Sequence, residues 1–227
     1  MKTPESCRRF LTALALPLLM LGPEIAASQS SSGHELLQAV ERGDTATVNR
    51  LLTAGTLPDP VDSAKQTPLL IAVAKNSPNA AKLLIDAGAN VNAQASNLDS
   101  PWLLAGALGR APMLRMMIPK GPDFSLRNRF GGTALIPACE RAHVEAVEVL
   151  LTTRIDVNHV NNLGWTCLLE IVILGEGGPR HVEVTRKVLA AGANPNIADR
   201  DNVSPFAHAT RKGQREIARL IEAAGGK

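Results

Sequence analysis

Tyrosine is absent from the 227-residue chain, and all aromatic residues together make up 3% of it. That supply suits a β-sandwich or barrel poorly, because their strands draw on aromatic and β-branched side chains. Cysteine is scarce as well: Cys7, Cys139 and Cys167, without the paired CxxC spacing of a zinc site and too few for the disulfide frameworks of small secreted domains. Charge bias is also missing. Lys and Arg number 24 against 21 Asp and Glu, spread along the chain, so nothing suggests a nucleic-acid or membrane-surface partner. HExxH, GxSxG and the GKS or GKT of a phosphate loop do not occur, and the five histidines (34, 143, 159, 181, 208) are scattered, so no catalytic or metal centre is expected.

What the chain has is 45% hydrophobic residues, rich in Ala and Leu and punctuated by Gly and Pro, a profile of short packed helices joined by turns. Its start reads differently. Lys2, Arg8 and Arg9 precede an apolar run from Phe10 to Leu21, followed by small residues Ala26, Ala27 and Ser28. This is the pattern of a secretory signal, cleaved near residue 28, with 29–33 as a short flexible segment. A membrane span would need about 20 apolar residues, and Pro17, Gly22 and Pro23 interrupt this run. A soluble exported protein with a net charge of 21 − 19 = +2 is expected after cleavage.

The remainder repeats. QTPLLIAVAK, DSPWLLAGAL, GTALIPACER, WTCLLEIVIL and VSPFAHATRK align so that Thr67, Ser100, Thr133 and Thr166 are each 33 residues apart, with Ser204 following after 38. A second signature trails each: LLTAG, LLIDAGANVNA, MMIPKGPDFSL, LLTTRIDVNHV, VLAAGANPNIA and LIEAAG. Thr or Ser opens a first helix as N-cap, with Pro68, Pro101 or Pro205 at the first helical position, and Gly88, Gly121, Gly192 and Gly225 close the second helix in a left-handed conformation. Two helices this short cannot bury their apolar faces alone, so the units must stack.

TPLLIAVAK followed by LLIDAGANVNA resembles the ankyrin repeat, with its TPLHxA and LLxxGAxxN signatures, and the match recurs in register over residues 34–227. The resemblance implies an all-α solenoid of about six helix-turn-helix units joined by β-hairpin-like turns, with repeats near 34–61, 62–94, 95–127, 128–160, 161–198 and 199–227. The segments GGTALIPACERAHVEAVEVLL, LGWTCLLEIVILGEGGPRH and ADRDNVSPFAHATRKGQREIARLIEAAG are further similar to exported ankyrin-repeat proteins of Gram-negative bacteria, which implies a periplasmic location. The His of TPLH is replaced by Leu70, Leu103, Ile136, Leu169 and Ala207, so the turns need other hydrogen-bond partners. Pro119 falls inside the final turn of repeat three and should shorten or kink that helix.

Ankyrin-repeat proteins bind other proteins through hairpin tips and the inner face of the first helices. Carried onto this chain, the tips are Arg129, Phe130, Asn162, Leu163, Trp165, Arg200, Asp201 and Asn202, and the first-helix positions are Glu140, Arg141, Ile173, Leu174, Arg211 and Lys212. The resemblance thus implies a non-enzymatic module without cofactor that holds a partner protein, such as a periplasmic enzyme that it stabilises or protects under stress, and a monomer is expected. Phe130 and Trp165 are either interface anchors or packing residues; Trp102 belongs to the core. The alternative is an enzyme or small-ligand binder around Glu140, Arg141, Glu170 and His181.

Two further expectations concern irregularities. The five extra residues of repeat five, in GEGGPRHVE, should lengthen the loop between its helices, either as a tolerated insertion or as a recognition loop bearing Glu176, Arg180 and His181. Cys139, late on one first helix, and Cys167, at the start of the next, are expected to be offset beyond bridging distance and to remain thiols.

Overall fold

Residues 23–227 are described in the computed structural model, so Cys7 and the apolar run of the expected signal lie outside the described residues. Twelve α-helices follow one another as six antiparallel pairs: α1 (Pro23–Arg42) with α2 (Thr45–Thr53), α3 (Pro68–Ala74) with α4 (Pro78–Asp86), α5 (Pro101–Ala107) with α6 (Ala111–Met117), α7 (Leu135–Glu140) with α8 (Val144–Leu151), α9 (Cys167–Ile173) with α10 (Pro179–Ala190), and α11 (Pro205–Arg211) with α12 (Arg215–Ala223). Helix α1 runs through residues 29–33, which composition alone suggests as a flexible segment.

First helices stack on first helices and second on second, giving two layers with one continuous apolar core between them. Trp102, Leu36, Leu69, Leu114, Leu135 and Leu168 are among its fully buried side chains. No strand occurs among the described residues. The connections are tight turns, closed at their mouths by backbone bonds such as Asn128 N–H to Gly132 C=O and Asn161 N–H to Trp165 C=O.

Capping follows the sequence signals. Thr67, Ser100, Thr166 and Ser204 each accept the N–H three residues on at 3.2 Å. Repeat four differs: α7 starts only at Leu135, and Thr133 Oγ1 is buried without a partner. Pro137 is the reason. At the corresponding position Ile71, Leu104, Glu170 and His208 donate their N–H back to the carbonyl of the capping residue, and proline has no N–H to give. The second helices end as expected at left-handed Gly88, Gly192 and Gly225, while Pro119 cuts α6 off at Met117 and leaves a 3-10 turn, Ile118–Lys120.

The expectation for the cysteines is corrected. Cys139 and Cys167 form a disulfide, with their Cα atoms 5.6 Å apart. The error lay in treating neighbouring first helices as level with each other. Residue 139 of α7 faces residue 167 of α9, and one repeat earlier the same two positions are Gly106 and Ala134. There a Cβ on Gly106 would stand 2.8 Å from Ala134 Cβ. Neighbouring first helices are therefore shifted along each other, and this pair of positions is a point of closest approach in both repeats.

The insertion is corrected in part too. Only Leu174 to Gly178 separate α9 from α10, and most of the added length extends α10 to 12 residues, against 8 in α8. Pro179 sits at the first helical position of that extension, where its missing N–H costs nothing. His181 therefore lies within the first turn of α10 rather than in the loop.

Candidate protein-interaction groove

The geometry of the concave side starts with the turns. Asp62, Asn128, Asn161 and Asp199 recur 66, 33 and 38 residues apart, and each accepts from the N–H groups two and four residues on. These side chains are the partners that the turns need in place of the missing His. Ala95 breaks the row in repeat three, where Gln94 Nε2 instead donates to the carbonyls of Leu98 and Arg127. Successive turns are joined by Asn162 N–H to Phe130 C=O at 2.9 Å, and Arg200 reaches back to Asn162 C=O at 2.5 Å.

In the last two repeats a side chain of the first helix closes the turn further. Asn161 Nδ2 donates to Glu170 Oε1 at 2.8 Å, and 38 residues on His208 Nε2 meets Asp199 Oδ2 at 2.7 Å. Glu170 is only 5% exposed, and burial first, then the negative charge of Glu140, push its pKa up to about 7.

Beside Glu170 the turns of repeats four and five and helices α7 and α9 enclose a groove of about 350 Å³. Its rim is apolar: Phe130, Leu163 and Leu174 are 53%, 47% and 49% exposed. Of the sequence-expected positions, Arg129, Phe130, Glu140, Arg141, Leu163 and Leu174 line this one groove. Asn128, Gly132, Ile136, Pro137, Asn161 and Glu170 complete it; Glu170 belongs to the alternative reading of the sequence, whereas Ile136 and Asn161 escape a surface-minded reading because each is largely buried and only its edge reaches the opening.

The other expected positions lie outside it. Trp165 and Ile173 are half-buried, packed against the core. Asn162, Arg200, Asp201 and Asn202 are exposed at turns, with Asn202 in a left-handed conformation. Lys212, at the end of α11, spends its ammonium on the carbonyls of Ile173 and Gly175 at 2.7 and 3.1 Å, and Arg211 points to solvent beside it.

Two residues of the alternative reading, Arg141 and His181, are held by bonds to backbone carbonyls. Arg141 Nη1 donates to Ala107 C=O at 2.9 Å, and His181 Nε2 bonds Glu140 C=O at 3.0 Å. Arg180 Nε donates to Ala142 C=O at 3.2 Å, so two of the three candidate recognition residues of the insertion tie repeat five to repeat four. His143 plays the same part against Ala107, and burial first holds its pKa below the ordinary histidine value. Glu140, Arg141, Arg180 and His181 line a shallow depression of about 450 Å³, with His143 outside it. Among the described residues no three His, Cys, Asp or Glu are placed to hold a metal ion, and no helix is long and apolar enough to cross a membrane.

Comparison with known proteins follows the same repeats. The family model for ankyrin repeats (3 copies) matches residues 15–95, 36–128 and 102–199. The chain is 35% identical over 192 residues to the putative ankyrin repeat protein YahD of Escherichia coli K12, covering 84% of this chain and 96% of that one. It superposes on an ankyrin repeat domain from Acinetobacter baumannii AYE with a TM-score of 0.82 at 46% identity, over 86% of this chain and 99% of that one. The ankyrin repeat domain of Bcl-3, of the IkappaB protein family, matches with a TM-score of 0.74 at 26% identity, over 85% and 86%. The chain belongs to the ankyrin-repeat family, whose domains are typically non-enzymatic and bind protein partners.

Proposed function

We propose that this chain is an exported interaction module that holds a partner protein in the groove between repeats four and five, and that in the periplasm it stabilises or protects that partner, an enzyme under stress being the case we favour. The observation that carries the site is the meeting of Phe130, Leu163 and Leu174, three large exposed apolar side chains, at the mouth of one groove. Exposed apolar surface costs about 25 cal/mol per Å² against burial, and covering it is what a partner offers. The Cys139–Cys167 disulfide supports the compartment, since such bonds persist in oxidising surroundings such as the periplasm. The basic and apolar start of the sequence supports export.

The test has two parts. N-terminal sequencing of the protein recovered from the periplasmic fraction of a Gram-negative host should begin near residue 29; recovery from the cytoplasm with Met1 intact would refute export. Affinity capture should then compare the parent chain with Phe130→Ala/Leu174→Ala at equal helicity. A partner retained by the parent and lost by the variant supports the groove, and equal capture by both would remove it as the site.

A further inference from the structure

The groove has a floor as well as a rim, and the floor carries the wrong charge for an apolar site left to itself. Glu140 on α7 and Glu170 on α9 both line it, close enough for the charge of one to raise the pKa of the other. The Glu140 carboxylate has no hydrogen-bond or ion-pair partner among the described residues, and the Glu170 carboxyl has one, the Asn161 amide on a single oxygen. The two arginines of the groove do not neutralise them. Arg129 lies over the Phe130 ring at 4.6 Å and faces Asp99 at 3.8 Å, while Arg141 is turned to the Ala107 carbonyl. Both cations are thus engaged toward repeat three, which leaves the Glu140 carboxylate unpaired at the cleft and the edge of the largely buried Glu170 beside it.

Resting on the concave-face reading above, we infer that this groove takes a lysine or arginine side chain of the partner between Glu140 and Glu170, with apolar partner residues covering Phe130, Leu163 and Leu174. The apolar walls fit the methylene stem of such a side chain, and the paired carboxylates fit its cationic head. Two like charges facing one cleft repel each other, and a cation inserted between them converts that repulsion into two attractions. Charge of this kind sets which partner is accepted more than how much area is buried. The cleft, at about 350 Å³, has room for one such side chain but not for a folded element, so the partner must present it from an exposed loop or an extended segment.

A random peptide library displayed on phage, panned on the full chain at pH 8, tests this directly. Enriched peptides should carry Lys or Arg flanked by apolar residues. For the best of them made synthetically, replacing that Lys or Arg by norleucine, or using the chain with Glu140→Gln and Glu170→Gln, should weaken binding at least about tenfold. Glutamine keeps the size of both side chains, and thermal melts of parent and variant monitor folding. If binding is lost in Phe130→Ala/Leu174→Ala but survives both the norleucine and the glutamine exchanges, the groove stands and the cation is wrong. If the peptides are indifferent to all these changes, or none is enriched, both the groove and its charge preference fail.

Discussion

Glu170 stands to Asn161 as His208 stands to Asp199: in each repeat the fourth residue after the capping Thr or Ser closes the turn nine residues before it. At Glu170 this placement takes a carboxyl out of water and lifts its pKa from 4.5 to about 7. The sign follows. Between about pH 4.5 and 7 the folded protein keeps a proton that the unfolded chain releases, so this group's contribution to stability falls as pH rises through that window and is at its least favourable above 7. The loss is on the order of 3 kcal/mol. Glu170→Gln, which still accepts from Asn161, should therefore be more stable than the parent at pH 8 and close to it at pH 4.5. Urea unfolding at both values checks this; the same difference at both would show that the carboxyl is not strained.

The disulfide closes a loop of 28 residues across α7, α8 and the turn to α9. Constraining a loop of that length in the unfolded chain is worth about 3.5 kcal/mol. Reducing the parent, or introducing Cys139→Ala and Cys167→Ala together, should lower the unfolding midpoint, and the double variant should no longer respond to reductant. A midpoint unchanged by reductant in the parent would mean that the two sulfurs are not bonded in solution.

Gly106 carries the equivalent contact without a bond. An added methyl would lie 2.5 Å from the Ala134 carbonyl oxygen and 2.8 Å from its Cβ, so α5 and α7 would have to move apart. Alanine normally favours a helix over glycine, yet Gly106→Ala should destabilise by about 1–3 kcal/mol because overpacking dominates. Gly178, with nothing within 4 Å of its would-be Cβ, is the control, and its change to Ala should cost no more than about 1 kcal/mol, the lost N-cap preference of glycine over alanine. Equal effects at the two sites would contradict the close approach.

The fold was legible because its determinants are local and periodic: Thr67 to Thr166 at 33-residue steps and the glycines that end the second helices need no tertiary knowledge. The rim of the groove was legible for the same reason, since Phe130 and Leu163 occupy equivalent turn positions one period apart. What escaped depends on how repeats sit against each other. Facing of residues 139 and 167 follows from the shift between α7 and α9, which no sequence period records. The Asp62, Asn128, Asn161 and Asp199 row was present as a pattern but is interrupted by Ala95, and its importance shows only when the turn amides point at it. Trp165 stands out by residue type, and that it packs half-buried against the core shows only in the fold.

The end of α9 gives the last prediction. The last carbonyls of a helix have no partner within it, and here Val172 and Gly175 C=O take Gln214 Nε2 at 3.3 and 3.0 Å. Gln214 is buried and comes from the turn between α11 and α12, so repeat six fastens the loop that the insertion remodelled. Gln214→Ala should cost about 1–3 kcal/mol, chiefly the penalty of leaving the Val172 carbonyl unpaired, since the Gly175 carbonyl keeps Lys212. Lys212→Ala removes a solvent-exposed ammonium from the carbonyls of Ile173 and Gly175 and should cost about 1 kcal/mol or less, since water replaces it there. Hydrogen exchange separates this from a global effect: the Gln214→Ala change should raise exchange of amides at 174–178 and in α12 while leaving α3 to α6 at parent rates. Uniform acceleration along the chain would place the fastening elsewhere.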